Sequence, residues 1–202
     1  MDRPRADSVK REEHLAFLQV LFRAPARTGA VAPSSVHLAR AMVKGLTLGP
    51  GQTVVEFGPG TGALTSEIRR ILPSPSSYLG VEIEPRFADL LRRRFPGLHV
   101  VEGSAEEAPR FVAEAGCAQV KAVICGLPFA TLPAGVQDGV VRALDVLVGP
   151  GAQFRTFQYI HAYPLPPAVR FRHRMRELFG PHTREATVVR NLPPAYVLSW
   201  SR

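Results

Sequence analysis

The chain has 202 residues, of which 46% are hydrophobic, with a formal net charge of +8 and two cysteines. This length and composition predict one globular domain with a substantial core and reduced, structural thiols rather than a disulfide framework. No apolar run approaches the roughly 20 residues needed to cross a bilayer, and the polar start does not lead into a cleavable signal, so the sequence predicts a cytoplasmic protein.

The first segment, about Ser8 to Arg23, has the composition of a helix, and its centre from Leu15 to Phe22 is almost entirely apolar. Basic residues flank this centre, including Arg23 and Arg27. Such an arrangement is typical of a helix that lies in a membrane interface, and a lid over a substrate cleft is the alternative.

A turn follows, and Ser34 or Ser35 could cap a helix from Val36 to Lys44. The exposed N–H groups of this turn could hold a carboxylate. We therefore divide the single domain into an N-terminal extension, residues 1–45, and a core, residues 46–202.

The next strand ends in a glycine-rich turn with the sequence Glu56-Phe57-Gly58-Pro59-Gly60-Thr61-Gly62. Alternate glycines let the backbone approach a ligand closely, and the helix predicted from Leu64 to Leu72 offers unpaired N–H groups at its first turn. The spacing of Gly58, Gly60 and Ala63 also satisfies the dinucleotide fingerprint, so the turn alone leaves two ligand classes open.

With Glu56 included, the pattern Glu-x-Gly-x-Gly-x-Gly resembles motif I of the Rossmann-like methyltransferases that use S-adenosylmethionine. The resemblance implies an α/β fold with a seven-stranded, mostly parallel sheet, one antiparallel strand and helices on both faces. It places Glu56 near the methionine ammonium of the cofactor. The cofactor's sugar and methionine parts would face Gly58, Pro59, Gly60 and Gly62.

The run from Tyr78 to Glu82 predicts a second buried strand with an acidic residue at its carboxyl end. An acid about 20 residues beyond the glycines accepts hydrogen bonds from ribose hydroxyls in nucleotide sites. Glu82, followed by Ile83, is the preferred candidate because the family carries Gly-Val-Glu at this strand end, and Glu84 is its competitor.

A third strand, Leu98 to Glu102, leads into Ser104 and Ala105. Related methyltransferases commonly carry Gly-Asp-Ala here and bind the adenine with it. Ser104 replaces the aspartate, so the resemblance assigns the adenine edge to the Ser104 hydroxyl and to backbone groups of Ala105.

The fourth strand, Lys121 to Cys125, runs into Gly126-Leu127-Pro128-Phe129, where amine-directed methyltransferases carry their acceptor motif. Adenine-directed enzymes place an asparagine at the position of Gly126. The glycine and the following Leu-Pro instead resemble bacterial phospholipid N-methyltransferases. This wider resemblance also covers Gly29 to Ser35, Gln153 to Tyr159 and Asn191 to Ala195.

The later elements are a helix from Pro133 to Val148, a strand from Ala152 to Ile160, a helix from Ala168 to Phe179, and two strands from Ala186 to Asn191 and from Tyr196 to Ser201. Tyr159, at the carboxyl end of its strand, is the candidate partner of the reacting amine, together with the carbonyls of Gly126 and Leu127. His161 could take a proton from the substrate's ammonium group. The alternative is that His161 is an ordinary surface histidine.

The C-terminal quarter carries most of the positive charge, since only Glu177 and Glu185 follow Asp145 as acids. An arginine-rich surface favours anionic partners, either nucleic acid or an anionic lipid surface, and an anionic phospholipid membrane is the preferred partner. The alternative is a solvated surface whose arginines reflect genomic composition. The residues that would meet lipid phosphates are Arg23, Arg27, Arg170, Arg172, Arg174 and Arg176.

Together, the resemblance implies transfer of methyl groups from S-adenosylmethionine to phosphatidylethanolamine and its partly methylated products, leaving S-adenosylhomocysteine, on the inner face of the cell membrane. Neither a metal nor a nucleic acid is expected to take part. An RNA adenine dimethyltransferase and a non-catalytic, cofactor-binding membrane protein are the alternatives. The first fits poorly because of Gly126 and the absence of a helical domain after the last strand.

Overall fold

A computed structural model describes residues 34–117 and 119–202. The α-helices in this part are α1 (Val36–Val43), α2 (Ala63–Ile68), α3 (Pro85–Arg94), α4 (Ala108–Glu114), α5 (Ala134–Leu147) and α6 (Pro166–Phe179). The strands are β1 (Gln52–Phe57), β2 (Tyr78–Glu82), β3 (His99–Glu102), β4 (Gln119–Cys125), β5 (Gln153–Tyr159), β6 (Thr183–Val188) and β7 (Ala195–Ser201).

The strands form one seven-stranded sheet in the order β3-β2-β1-β4-β5-β7-β6. β1 pairs in parallel with β2 and β4, and β7 runs antiparallel to both of its neighbours. Because the chain order reverses beside β1, the carboxyl ends of β1 and β4 border a crevice of the kind that binds ligands in open α/β sheets. The predicted fold class is confirmed.

The central strands are hydrophobic on both faces because helices cover both sides of the sheet. In β1, Val54, Val55 and Phe57 are fully buried. The predicted β2 agrees with the structure at both ends, whereas the helix predicted from Leu64 to Leu72 continues beyond Ile68 only as a short 3₁₀ turn. The strand predicted from Ala186 begins and ends three residues earlier, at Thr183 and Val188.

An aromatic cluster fixes α6 against the sheet. Phe171 of α6 stacks on Phe129 with ring centroids 3.6 Å apart, and it meets Phe154 and Trp200 edge to face. Aromatic pairs with such geometry add to the stability gained by burying their area. This cluster holds α6 and the loop after β4 against β5 and β7.

On the other face, α1 packs through Leu38, Ala39 and Met42, none of which is exposed. Arg155 of β5 is buried beneath it and donates hydrogen bonds to the carbonyls of Met42 (3.3 Å) and Lys44 (2.7 Å). These are carbonyls at the end of the helix, which have no intrahelical partner. α1, which the sequence assigned to the N-terminal extension, is therefore attached directly to the sheet.

Candidate active site

The glycine turn follows β1 directly. Gly58, Gly60 and Gly62 have φ angles of 65°, 56° and 84°, a region that residues with a Cβ rarely adopt. A Cβ on Gly62 would also lie 2.5 Å from a ring carbon of Phe95, whereas one on Gly60 would meet no atom within 4 Å. The turn is therefore packed tightly against α3 at Gly62 and open at Gly60, where a ligand can approach the backbone.

Glu56 is fully buried behind this turn. Its Oε2 accepts hydrogen bonds from the Thr65 hydroxyl at 2.8 Å and the Tyr78 hydroxyl at 2.6 Å, while its Oε1 has no partner among the described residues. Burial raises the pKa of Glu56 from 4.5 to about 7, against the lowering effect of the two hydroxyl donors. A cationic donor at Oε1, such as the ammonium of the cofactor's methionine part, would satisfy this atom and favour the ionised form.

Tyr78 reaches Glu56 because Gly80 leaves room for it. Gly80 pairs with Glu56 in the sheet, and a Cβ on Gly80 would lie 2.6 Å from the Tyr78 hydroxyl oxygen. Neither Thr65 nor Tyr78 is among the site residues predicted from the sequence. Tyr78 is the first residue of a buried strand, and the glycine two residues later lies on the same face. This spacing was the sequence signal that could have indicated room for the Tyr78 side chain.

Glu82 lies at the carboxyl end of β2, and its side chain turns toward the glycine turn. Its Oε2 accepts a hydrogen bond from the Gly60 N–H at 2.8 Å, and its Oε1 accepts one from the Glu84 N–H at 3.0 Å. Burial raises the pKa of Glu82, and the backbone donors oppose this rise. The Glu82 carboxylate, the preferred candidate for the ribose, therefore contacts the glycine turn directly.

Glu84, the competitor, is also buried, and it marks the start of α3 because its carbonyl accepts hydrogen bonds from Phe87 and Ala88. Ile83, between the two acids, is half-buried. The N–H groups of both Ile83 and Glu84 face the Glu82 carboxylate and help to lower its pKa.

Ser104 follows β3 and caps a short 3₁₀ helix, Ala105–Glu107. Its hydroxyl accepts a hydrogen bond from the Glu106 N–H at 3.2 Å and also contacts the Glu106 carboxylate. Ala105 is buried. The predicted adenine contacts therefore lie at the end of β3, but the Ser104 hydroxyl already has partners within its own turn.

Gly126 follows β4 and lies against the glycine turn. A Cβ on Gly126 would be 2.8 Å from the backbone oxygen of Gly58, and a Cβ on Gly58 would be 2.7 Å from the Leu127 side chain. Two backbone segments thus touch here, and the asparagine of adenine-directed enzymes does not fit without moving the turn. The departure at Gly126 has a steric cause in this chain.

The four residues of the acceptor motif are not equivalent. Phe129 is buried in the aromatic cluster, so its ring packs against α6 and does not face the crevice. The Leu127 carbonyl accepts a hydrogen bond from Phe129 N–H, and the Pro128 carbonyl accepts one from Thr131 N–H. No described residue donates to the Gly126 carbonyl, which leaves it available to a ligand.

Tyr159 ends β5 and is 8% exposed. Its hydroxyl has no hydrogen-bond partner in the described part of the chain, and burial raises its pKa to about 12. The ring meets Phe157 edge to face and stacks parallel to the exposed His161 at 5.7 Å between centroids. A buried hydroxyl without a partner is costly, and a polar ligand group would relieve that cost.

Ser35 caps α1, as predicted, by accepting a hydrogen bond from the Leu38 N–H at 3.2 Å. Its own N–H is not open to a carboxylate, however, because it donates to the buried Asn191 side chain at 2.9 Å. Ser34 is half-buried beside it. The Ser35 N–H is therefore not free to hold a carboxylate, and the rest of the predicted turn, residues 28–33, lies outside the described residues. Asn191 is the missed residue that ties α1 to the loop between β6 and β7.

The arginines of α6 do not share one face. Arg170 forms an ion pair with Asp138 of α5 at 2.6 Å, whereas Arg172 donates to Gln158 of β5 at 2.6 Å and stacks on a tyrosine ring. Positions two apart on a helix point about 200° from each other, so alternating arginines cannot all face a membrane. Arg174 and Arg176 are exposed, but they too lie two positions apart, and Arg174 pairs with Glu177 at 3.1 Å and with Asp138 at 4.0 Å. Of the predicted basic face, Arg176 is the exposed residue without an ion pair in the described part of the chain.

The predicted interface helix and the residues Arg23 and Arg27 lie outside the described residues. Within residues 34–117 and 119–202, no helix is long and apolar enough to cross a membrane. The same residues contain no group of three or more histidine, cysteine or acidic side chains placed to hold a metal ion. Cys117 and Cys125 are both free thiols.

Solved structures share this architecture. A methyltransferase from Anabaena variabilis that depends on S-adenosylmethionine matches 95% of this chain and 95% of its own, with a TM-score of 0.62 and 10% identity. A TehB-like methyltransferase of the same dependence from Corynebacterium glutamicum matches 95% of this chain and 99% of its own, with a TM-score of 0.58 and 12% identity. The fold is that of the class I, Rossmann-like methyltransferases.

The sequence narrows this class. An ornithine lipid N-methyltransferase of Singulisphaera acidiphila is 30% identical over 190 residues, which cover 91% of this chain and 93% of that protein. The chain therefore belongs to the family of bacterial lipid N-methyltransferases, as the motifs predicted, and S-adenosylmethionine is its cofactor. The orphaned Oε1 of Glu56 and the open turn at Gly60 fit that molecule.

Other relatives match only a part of this chain. A ribosomal RNA small subunit methyltransferase A of Prosthecochloris aestuarii is 40% identical over 68 residues, and this chain spans about a quarter of its length. No protein-family model matches the chain.

Proposed function

We propose that this protein methylates the primary amine of a membrane-lipid headgroup. The observation that carries the proposal is the similarity to the ornithine lipid N-methyltransferase, which spans nearly the whole of both chains. Two headgroups are candidates. The similarity to an ornithine lipid N-methyltransferase favours an ornithine-containing lipid. The acceptor motif favours phosphatidylethanolamine and its mono- and dimethyl derivatives, which are methylated towards phosphatidylcholine.

The residues that would hold the cofactor lie at the carboxyl ends of β1, β2 and β3. The free Oε1 of Glu56 suits the methionine ammonium, and Glu82 suits the ribose through the lone pairs that Gly60 and Glu84 leave unused. Ala105 and Ser104 suit the adenine. When bound, the cofactor supplies an electrophilic methyl group on a sulfonium sulfur.

The residues around the acceptor act by position. The Gly126 carbonyl and the Tyr159 oxygen can each accept an N–H of a neutral amine, which leaves the nitrogen lone pair free for attack. With a pKa of about 12, the Tyr159 hydroxyl keeps its proton at neutral pH and does not act as the base. Catalysis then consists of orientation and exclusion of water rather than covalent chemistry.

A headgroup ammonium must lose a proton before it can react. His161 is the titratable group beside Tyr159, and its exposed ring can pass a proton to solvent. We assign it this role as part of the proposal.

The proposal includes peripheral association with anionic phospholipids at the inner face of the cell membrane, because the acceptor resides there. Arg176 of α6 is exposed and forms no ion pair with the described residues, and its attraction to lipid phosphates supports this association. Arg23 and Arg27, with the apolar segment before them, belong to the same proposal.

The test supplies S-adenosylmethionine with a labelled methyl group, in separate reactions, to vesicles containing phosphatidylethanolamine, its monomethyl derivative or an ornithine lipid, and to 16S ribosomal RNA. Mass spectrometry of the extracted lipids locates the label. Label in one lipid amine identifies the headgroup. Label in RNA with none in any lipid would show that the protein is an RNA methyltransferase, and no label anywhere would favour a non-catalytic protein.

A further inference from the structure

We propose that the loop between β6 and β7, residues 189–194, docks on the surface of the lipid bilayer, with the Leu192 side chain entering the acyl region. This inference rests on the proposed function, since it explains how a lipid amine reaches the crevice. It concerns a different part of the chain from the predicted interface helix. It also sets the orientation of the sheet, whose carboxyl edge would face the membrane.

The loop leaves the sheet beside the acceptor site. Val188 pairs with Ala195 across β6 and β7, and Ala195 pairs with Tyr159 across β7 and β5. The Pro194 carbonyl accepts a hydrogen bond from the Ile160 N–H at 2.9 Å. The loop therefore lies at the same edge of the sheet as Tyr159: it begins on β6, two strands from β5, and ends on β7, the direct neighbour of β5.

The tip of the loop is apolar and exposed. Leu192 is 80% and Val189 is 72% exposed, the highest values among the large hydrophobic residues of the described chain. Val36, which follows Ser35, the residue that donates to Asn191 of the loop, is also 47% exposed. Apolar side chains grouped at one edge indicate an interaction site, and insertion into a bilayer removes their area from water.

The charge around the tip suits lipid phosphates. Arg190 lies between the two apolar residues, is exposed, and forms no ion pair within the described residues. No acidic residue follows Glu185 in the chain, so the loop carries no charge that an anionic surface would repel. One arginine beside a wedge of two apolar side chains is a common combination at membrane interfaces.

The loop is also held rigidly. Asn191 points inward and is 4% exposed, between two exposed neighbours. Its Oδ1 accepts the Ser35 N–H at 2.9 Å, and its Nδ2 donates to the Pro193 carbonyl at 2.7 Å. Because the backbone is fixed in advance, little conformational freedom is lost on docking. This anchoring separates the loop from an ordinary solvated turn.

The experiment places a nitrobenzoxadiazole fluorophore at position 192 through Leu192→Cys, in a Cys117→Ser background. Cys125 is buried and remains. The matched control is Val146→Cys in α5, where the native side chain is 70% exposed at the amino edge of the sheet. Vesicles contain phosphatidylethanolamine and phosphatidylglycerol, with or without lipids that carry a nitroxide quencher on the acyl chain.

We expect the probe at position 192 to shift to the blue on vesicle addition and to be quenched by the acyl nitroxide, and the probe at position 146 to do neither. Leu192→Ser should reduce vesicle binding about tenfold, because burial of the side chain is lost. It should leave methylation of a water-soluble short-chain lipid unchanged. Val146→Ser should change neither quantity.

The failures of this inference and of the proposed function are distinguishable. If the protein methylates bilayer lipids while the probe at position 192 stays in water, the docking inference is overturned and the function stands. If the probe inserts but no lipid amine is methylated, docking is supported and the function fails. A probe response that follows protein concentration without vesicles would show contact with a second copy of the chain and overturn the inference.

Discussion

Glu56→Gln should change the pH dependence of folding in the cofactor-free protein. Burial raises the pKa of Glu56 from 4.5 to about 7. At about 1.4 kcal/mol per pKa unit, ionising Glu56 costs about 3 kcal/mol more in the folded protein than in the unfolded chain. The folded protein binds this proton more tightly than the unfolded chain. The stability that it contributes is therefore fully present below pH 4.5 and is lost as the pH rises through 7.

Glutamine has the same shape and does not titrate in this range. We expect the free energy of unfolding of Glu56→Gln, relative to wild type, to rise by about 3 kcal/mol between pH 4.5 and pH 8, because only wild type loses stability at this site. Urea denaturation at several pH values measures it. The neutral variant should also bind S-adenosylmethionine more weakly, since the acceptor facing the ammonium is no longer an anion.

Glu114→Gln is the control for removal of a carboxylate as such, because Glu114 is exposed and paired with Arg110. Loss of one exposed ion pair should change the free energy of unfolding by less than about 1 kcal/mol, well below the effect expected at Glu56. A constant difference between Glu56→Gln and wild type from pH 4.5 to pH 8 would refute the reasoning, since it would mean that Glu56 is ionised in the native state throughout this range.

Three further substitutions address the site. Glu82→Ala should weaken S-adenosylmethionine binding by about 1–3 kcal/mol in a calorimetric titration, because it removes the ribose acceptor and the partner of the Gly60 N–H; unchanged affinity would move the ribose contact elsewhere. Tyr159→Phe should lower turnover while cofactor affinity and cofactor-free stability stay the same or rise, since the hydroxyl has no partner to lose; unaffected turnover would reduce Tyr159 to packing. Gly126→Ala should weaken cofactor binding about tenfold, because its Cβ would press on the Gly58 oxygen; wild-type affinity by calorimetry would show that the turn yields freely.

Local sequence patterns were sufficient to predict the strand and the turn that border the crevice. The run from Tyr78 to Glu82 was predicted at both ends because an uninterrupted apolar strand is bounded by serines and an acidic residue. The alternate glycines determined the turn, since positive φ angles at close spacing leave little choice of residue. Such features depend on neighbours along the chain and can be read without the fold.

Contacts between side chains far apart in the sequence depend on how the chain folds. Asn191 binds the Ser35 N–H across 156 positions, and Tyr78 reaches Glu56 across 22. The Asn191 contact leaves no local pattern, and the Tyr78 contact leaves only the glycine two residues further along the strand. Phe129 belongs to the acceptor motif by sequence, but in the structure its ring is buried against Phe171. Burial and stacking of the two aromatic rings stabilise this position in the core.

The arginines of α6 show the same limit of prediction from sequence. Composition determined that this helix is basic, yet the helical twist sends Arg170 toward Asp138 and Arg172 toward Gln158. Whether a charge is free or paired depends on the element that packs beside it. The sequence of one helix does not contain that information.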